Sequence, residues 1–174
     1  MRIYLVGYMG SGKSTVSKRL AQLMNFECVD LDQLFEEKFK IEIADFFKKY
    51  DESLFRLLES RLLKDTLKLS NTIIATGGGT PCFYDNMEWM NQNGITVYLQ
   101  MHPLSIVYRL NDSKKKRPLV ASKSQVELIS FVRDHLRQRN IYYSQANIII
   151  KSESLNINEL SEIINSNRSY DNSQ

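Results

Sequence analysis

Gly7, Gly12, Lys13 and Ser14 stand at the spacing G-x-x-x-x-G-K-[ST], a pattern whose chemistry is the cradling of phosphate groups. Glycine lets the backbone curl until successive N–H groups converge on an anion, an approach that side chains would block. A helix beginning at the end of the loop adds the positive end of its dipole to that field. Lys13 is long enough to reach the β- and γ-phosphates of a nucleotide, and the Ser14 hydroxyl suits a magnesium ion. The expected phosphate contacts are Gly10, Ser11, Gly12, Lys13, Ser14 and Thr15. The plain alternative is a glycine-rich turn with no ligand. At ordinary residue frequencies the four fixed positions would arise in a chain this long well under about one time in a hundred, which makes a bare turn a poor account.

Carboxylates, glycines and arginines recur further along the chain. Asp30 and Asp32 flank one leucine, and carboxylates at alternating positions can hold a magnesium-bound water and a substrate hydroxyl. Either is equally suited to be the N-cap of the following helix. Gly77-Gly78-Gly79 follows Thr76, and three successive glycines cost on the order of 1 kcal/mol each against alanine in regular structure. Close approach of the backbone to a ligand explains them better than a bare connection does. No aspartate precedes these glycines, so Asp30 or Asp32 must supply the second magnesium oxygen. Arg56 lies within Phe55-Arg56-Leu57-Leu58. Spacing alone makes it a solvated arginine, able to pair with Glu59 at i+3 for about a few tenths of a kcal/mol. Lys114, Lys115 and Lys116 form a basic run before Arg117-Pro118. The lysines read as solvated, Pro118 stiffens the chain beside Arg117, and polar loops near phosphate sites often act as lids.

These residues need elements to position them. Ile3–Val6, Glu27–Val29, Thr72–Ala75, Thr96–Leu99 and Asn147–Ile150 read as short strands. Helical patterns lie between them, and such alternation builds a parallel sheet covered by helices on both faces, with ligands at the carboxyl ends of the strands. The first helix shows Val16, Leu20, Leu23 and Met24 as its apolar stripe. A long helical region from Asp32 to about Leu69 carries Leu54, Leu58 and Leu62, with Phe55 beside them. Pro103 starts a helix that carries Arg109, and a helix from Gln125 directs Val126, Ile129, Val132 and Leu136 inward. A last helix carries Leu160, Ile163 and Ile164, and the stretch from Asn165 reads as a frayed polar tail.

The chain has 174 residues, 43% hydrophobic and 25% charged, which suits a single soluble domain with a full core. Its net charge of +3 is too small to argue for a nucleic-acid partner. Cys28 and Cys82 stand apart with no C-x-x-C, so reduced thiols are expected rather than a zinc site or a disulfide. The first apolar run is broken by Gly7 and Lys13, unlike a signal peptide. No apolar stretch approaches the roughly 20 residues of a membrane span. A cytoplasmic protein without membrane contact is expected.

With these stretches side by side, the chain resembles the shikimate kinases, small members of the P-loop kinase group. Six ordered motifs carry the resemblance: Gly7-x4-Gly12-Lys13-Ser14-Thr15, Asp30-x-Asp32, Phe55-Arg56-x-x-Glu59, Gly77-Gly78-Gly79-x-Pro81, Arg117-Pro118-Leu119 and Arg139-x3-Tyr143-x2-Ala146. The resemblance implies a three-layer P-loop NTPase fold with a five-stranded parallel sheet in the order 2-3-1-4-5. It implies one domain over 1–166 with a mobile lid at about 111–124, a tail over 167–174, and a monomer. The implied reaction moves the ATP γ-phosphoryl to the 3-hydroxyl of shikimate, within the route to chorismate and aromatic amino acids. The implied roles place Lys13 and Ser14 with Mg²⁺ at the phosphates and Asp30 behind the metal. Asp32 would be the base that holds the substrate hydroxyls, and Arg56 with Arg139 the carboxylate clamp. Gly77, Gly78 and Gly79 would line the substrate ring, Arg117 would close on the phosphoryl, and Arg109 would pack on adenine. Two arginines suit a carboxylate through paired, charge-assisted bonds, which reverses the reading of Arg56 as merely solvated.

Two departures from the family pattern stand in the substrate-binding helices: Lys40 in place of a common glycine, and Tyr50-Asp51 in place of the usual glycine before Glu52. Within the same fold the rival is gluconate kinase or another small-metabolite kinase, which needs no arginine pair. A rival from another class is a nucleotide-binding module that has lost turnover, against which Lys13, Asp32 and Arg117 argue.

Overall fold

β-branched and aromatic residues dominate four of the five short runs, Glu27–Asp30 being the exception, and in the computed structural model the five pair as one parallel sheet. The structure describes residues 1–112 and 124–171. The strands are β1 (Arg2–Val6), β2 (Glu27–Asp30), β3 (Thr72–Ala75), β4 (Ile95–Gln100) and β5 (Ile148–Lys151), in the order β2-β3-β1-β4-β5. The order agrees with the one implied by the resemblance. Tyr4 at the centre lies opposite Ile74 of β3 and Thr96 of β4.

Alternation along β1 sends residues to opposite faces. Tyr4 and Val6 join a core with Phe35, Phe55, Leu63 and Tyr143, whereas Ile3 and Leu5 join another with Leu20, Ile73, Leu160 and Ile164. Each fully buried side chain of this size contributes about 1.5–3 kcal/mol relative to exposure. Both faces of the sheet are therefore covered, and its three inner strands are largely apolar and buried, as is usual of parallel sheets.

The helices are α1 (Lys13–Met24), α2 (Leu31–Phe39), α3 (Ile43–Lys49), α4 (Glu52–Asp65), α5 (Asn86–Asn93), α6 (Pro103–Asp112), α7 (Gln125–Tyr143) and α8 (Ile157–Asp171). The single long helical region expected from Asp32 to Leu69 is corrected to three helices and a 3₁₀ turn over Thr66–Lys68. Lys40 breaks the first by adopting φ 55°, ψ 36° at the C-cap of α2. Extended Tyr50 and Asp51 break the second, with the Asp51 carboxylate accepting from Leu54 N–H as the N-cap of α4.

Several inward faces also differ from expectation by part of a turn. In α1 the buried residues are Lys13, Val16, Ser17, Leu20 and Ala21, while Leu23 is exposed. In α4 the stripe runs through Phe55, Leu62 and Leu63, leaving Leu54 at the surface. In α7 Leu128 and Val132 are buried, whereas Val126 in the first turn is 78% exposed. The polar stretch from Asn165 is not a frayed tail at its start: α8 continues to Asp171. Among the described residues no helix is long and apolar enough to cross a membrane, and both cysteines are free.

Candidate active site

A cleft of about 340 Å³ opens at the carboxyl ends of β1, β2 and β3, lined by Lys13, Ser14, Asp30, Asp32, Gly78 and Arg109 among others. The turn from β1 into α1 builds its floor. Gly12, the N-cap of α1, has φ 97° in the left-handed region that other residues enter at a cost. Ser11 N–H donates to Tyr8 carbonyl at 3.1 Å, and Lys13 Nζ donates to the carbonyls of Gly7 and Tyr8 at 2.7 and 3.0 Å. Lys13 is thereby held within the loop it serves. Arg109, from α6, donates to the Gly10 carbonyl at 3.4 Å. Ser152, just beyond β5, donates to the Ser11 carbonyl at 2.6 Å and fixes the loop from the other side.

Asp30 and Asp32 both face this cleft, and one role does not displace the other. Asp30 caps α2 by accepting from Asp32 N–H at 3.1 Å, while its second oxygen accepts from Ser14 Oγ at 2.6 Å. Ser14 and Asp30 thus offer two hard oxygens side by side. No group of three or more His, Cys, Asp or Glu suited to a metal occurs among the described residues. That donor set fits Mg²⁺, which keeps several waters and takes its other oxygens from phosphates.

Across the cleft, α4 supplies Arg56. Its guanidinium donates to Glu59 at 2.9 Å and to Glu52 at 3.0 Å, and stacks over the Phe83 ring at 4.3 Å. Burial works against the Arg56 charge, but Glu59 and Glu52 outweigh it and hold the group above its ordinary pKa. Glu59 is itself buried and also accepts from Thr80 Oγ1 at 2.6 Å. Burial pushes its carboxyl above the usual range, against the pull of Arg56 and Thr80. From α7, Arg139 donates to the Gly78 carbonyl at 3.3 Å, and the Tyr143 hydroxyl donates to the same oxygen at 2.5 Å.

The glycine run is crowded by the chain's own side chains. A Cβ at Gly79 would lie 2.7 Å from both Arg56 guanidinium nitrogens, and one at Gly77 would lie 2.7 Å from Glu59 Oε1 and 3.1 Å from Asp32 Oδ1. The expectation was close approach to a ligand; at these two positions the close neighbours are the chain's own Arg56, Glu59, Thr80 and Asp32. The backbone there packs directly against functional side chains.

The comparisons with known proteins agree on one family. Its model, described as shikimate kinase, matches residues 9–167. The chain belongs to the shikimate kinase family. It is 42% identical over 154 residues to the shikimate kinase of Phocaeicola vulgatus, covering 88% of each chain. It is 41% identical over 167 residues to that of Bacillus cereus, covering 94% of this chain and 98% of the relative. The crystal structure of shikimate kinase from Bacteroides thetaiotaomicron superposes with a TM-score of 0.91 at 38% identity, covering 95% and 98% of the two chains. Shikimate kinase from Acinetobacter baumannii in complex with shikimate gives 0.84 at 32% identity, covering 98% and 93%.

For this shikimate kinase chain, the structure brings together Gly10, Ser11, Gly12, Lys13, Ser14, Thr15, Asp30, Asp32, Arg56, Gly77, Gly78, Gly79, Arg109 and Arg139 around the ends of the strands. Arg117 and the basic run Lys114, Lys115 and Lys116 lie outside the described residues. Sequence reasoning undervalued Glu59, which it paired with Arg56 for a surface-sized effect although the carboxylate is 3% exposed. It missed Thr80, Phe83 and Ser152. The signal for Thr80 was its place directly after the glycines. No spacing points from Ser152 to the phosphate loop, because that contact depends on how β5 lies in the sheet.

Proposed function

We propose that this cleft carries out the family's reaction, with the labour divided among the residues as follows. The reaction transfers the ATP γ-phosphoryl to the 3-hydroxyl of shikimate, giving shikimate 3-phosphate and ADP, on the route to chorismate and the aromatic amino acids. The backbone N–H groups from Gly10 to Thr15 and the Lys13 ammonium receive the phosphates. Ser14 and Asp30 would hold Mg²⁺, which when bound supplies positive charge to the β- and γ-phosphate oxygens. Asp32 accepts the proton of the attacking hydroxyl and orients it. Arg56 and Arg139 bind the shikimate carboxylate, Gly77, Gly78 and Gly79 border its ring, and Arg109 packs on adenine. Arg117 arrives with a lid over about 111–124 and stabilises the charge on the transferring group.

The observation that carries this assignment is the convergence of Arg56 and Arg139, from two different helices, on adjacent glycines of one loop. Asp32 abuts the first glycine of the same loop. A cationic pair beside a carboxylate matches a small hydroxylated acid: the arginines neutralise its charge and the aspartate addresses its hydroxyl. The proposed working unit is a monomer. The test is ADP release from MgATP in the presence of shikimate, gluconate or nucleoside monophosphates. Shikimate alone should drive it; release driven by gluconate instead would assign the cleft to another small-metabolite kinase.

A further inference from the structure

Tyr8 is the only residue between Gly7 and Gly12 that carries a ring. Its carbonyl belongs to the phosphate loop, yet its side chain is 1% exposed and packed into the core beneath α7. The hydroxyl lies 3.1 Å from His135 Nδ1, and the two rings meet edge to face at 6.1 Å. One helical turn on from His135, the Arg139 guanidinium lies 5.3 Å from the centre of the Tyr8 ring. Phe131, one turn earlier, packs on His135 at 4.6 Å. Two successive turns of α7 therefore address one loop tyrosine, and a third backs His135.

The two clamp arginines are held differently. Arg56 is fixed by two carboxylates. Arg139 forms no ion pair among the described residues; it has the Gly78 carbonyl, the Tyr143 hydroxyl and the face of Tyr8. A long side chain with few anchors loses affinity when it must be immobilised on binding. The aromatic face and its orientation thus bear on how well Arg139 receives an anion.

We propose that Tyr8 and His135 are positioning residues for the acceptor carboxylate. The His135–Tyr8 hydrogen bond fixes the ring, and the ring fixes the Arg139 guanidinium over the glycine loop. The proposal rests on the assignment of Arg139 to that carboxylate. The charged groups acting on His135 are Arg139 on its own helix and Glu52 from α4; burial first, then Arg139, keeps its pKa below the ordinary value. The imidazole is accordingly neutral at neutral pH and free to pair with a hydroxyl.

Steady-state kinetics of the full chain test this with His135→Phe, His135→Asn, Tyr8→Phe and the Tyr8→Phe/His135→Phe double variant. His135→Phe keeps a ring against Phe131 but has no polar atom, and its KM for shikimate should rise about threefold to tenfold. Its KM for ATP and its turnover at saturating shikimate should stay within about twofold, a split that general loosening of the loop would not give. His135→Asn, which keeps a polar atom near the Nδ1 position, should recover most of the loss. The double variant should be no worse than either single one. An unchanged shikimate KM in both His135→Phe and Tyr8→Phe, or equal losses toward ATP, overturns the proposal. Wild-type protein that turns over no shikimate overturns it together with the assignment beneath it. A shikimate KM sensitive to Arg139→Lys but not to His135→Phe overturns the brace alone.

Discussion

Asp30 and Asp32 are two residues apart, and the helix cap sends them to different tasks. Asp30 takes the Ser14 hydroxyl and the Asp32 N–H, so it stands on the phosphate side. Asp32 Oδ1 points to the glycine loop, 3.1 Å from where a Gly77 Cβ would be. Asp30→Asn keeps an acceptor for the cap but loses the charge, and should raise the magnesium concentration needed for half-maximal rate. Asp32→Asn should cut turnover with little change in that requirement. Magnesium titrations of the two variants that superimpose would contradict the division. Lys13→Ala should abolish ADP release while circular dichroism shows the fold retained. The change removes a charge and two hydrogen bonds from one loop, and no core packing. Near-normal turnover in a folded Lys13→Ala protein would remove Lys13 from the phosphate site.

At the scale of elements, the departures from the family pattern acquire definite structural roles. Asp51 replaces flexibility with an N-cap, accepting from Leu54 N–H at 2.8 Å. Lys40 occupies the left-handed C-cap of α2 at φ 55°, a conformation costing an L-residue about 1–2 kcal/mol. Glycine there avoids the strain but adds freedom to the unfolded chain. Lys40→Gly should therefore stabilise by roughly 0.5–1 kcal/mol, raising Tm by about 1–4 °C. A fall in Tm on thermal unfolding would show that Lys40 makes a compensating contact. The proposed lid, about 111–124, joins α6 to α7 and lies almost entirely outside the described residues. Its polar composition leaves little apolar surface for stability of its own. Arg117→Ala should lose at least about a hundredfold in rate, whereas alanine at Lys114, Lys115 or Lys116 should have small effects. Amide exchange over this segment should be fast in the free protein and slow once ADP and shikimate are added. Exchange already slow without ligand, or a mild Arg117→Ala, would make the segment an ordinary surface loop.

At the scale of the whole molecule, the sheet collects residues from positions 7 to 152 at one end. Four strands were legible as short β-rich runs, Glu27–Asp30 by its place before the Asp30-Leu31-Asp32 stretch, and the phosphate loop because its four fixed positions are rare together. The inward faces of α1, α4 and α7 were less legible. Burial of Ser17 and Ala21 depends on how closely a helix lies on the sheet, and hydrophobicity along the chain does not report that distance. The breaks at Lys40 and Tyr50-Asp51 were hidden because neither glycine nor proline marks them. Arg56 was the hardest residue: spacing alone makes it a solvated arginine, and the burial of its partner Glu59 and the stacking of Phe83 come only with folding.

The central claim is that Arg56 and Arg139 together recognise a carboxylate, and the most direct measurement compares binding of shikimate with binding of its uncharged methyl ester. Loss of a charge-assisted bond costs about 1.5–3 kcal/mol, so the wild-type protein should bind shikimate roughly tenfold to a hundredfold more tightly than the ester. Arg56→Lys and Arg139→Lys keep the charge but lose the two-pronged geometry. Each should weaken shikimate binding by a similar factor, narrow the gap to the ester, and leave ATP binding nearly unchanged. Equal affinities of the wild-type protein for acid and ester, or lysine variants that weaken ATP and shikimate alike, would contradict the account.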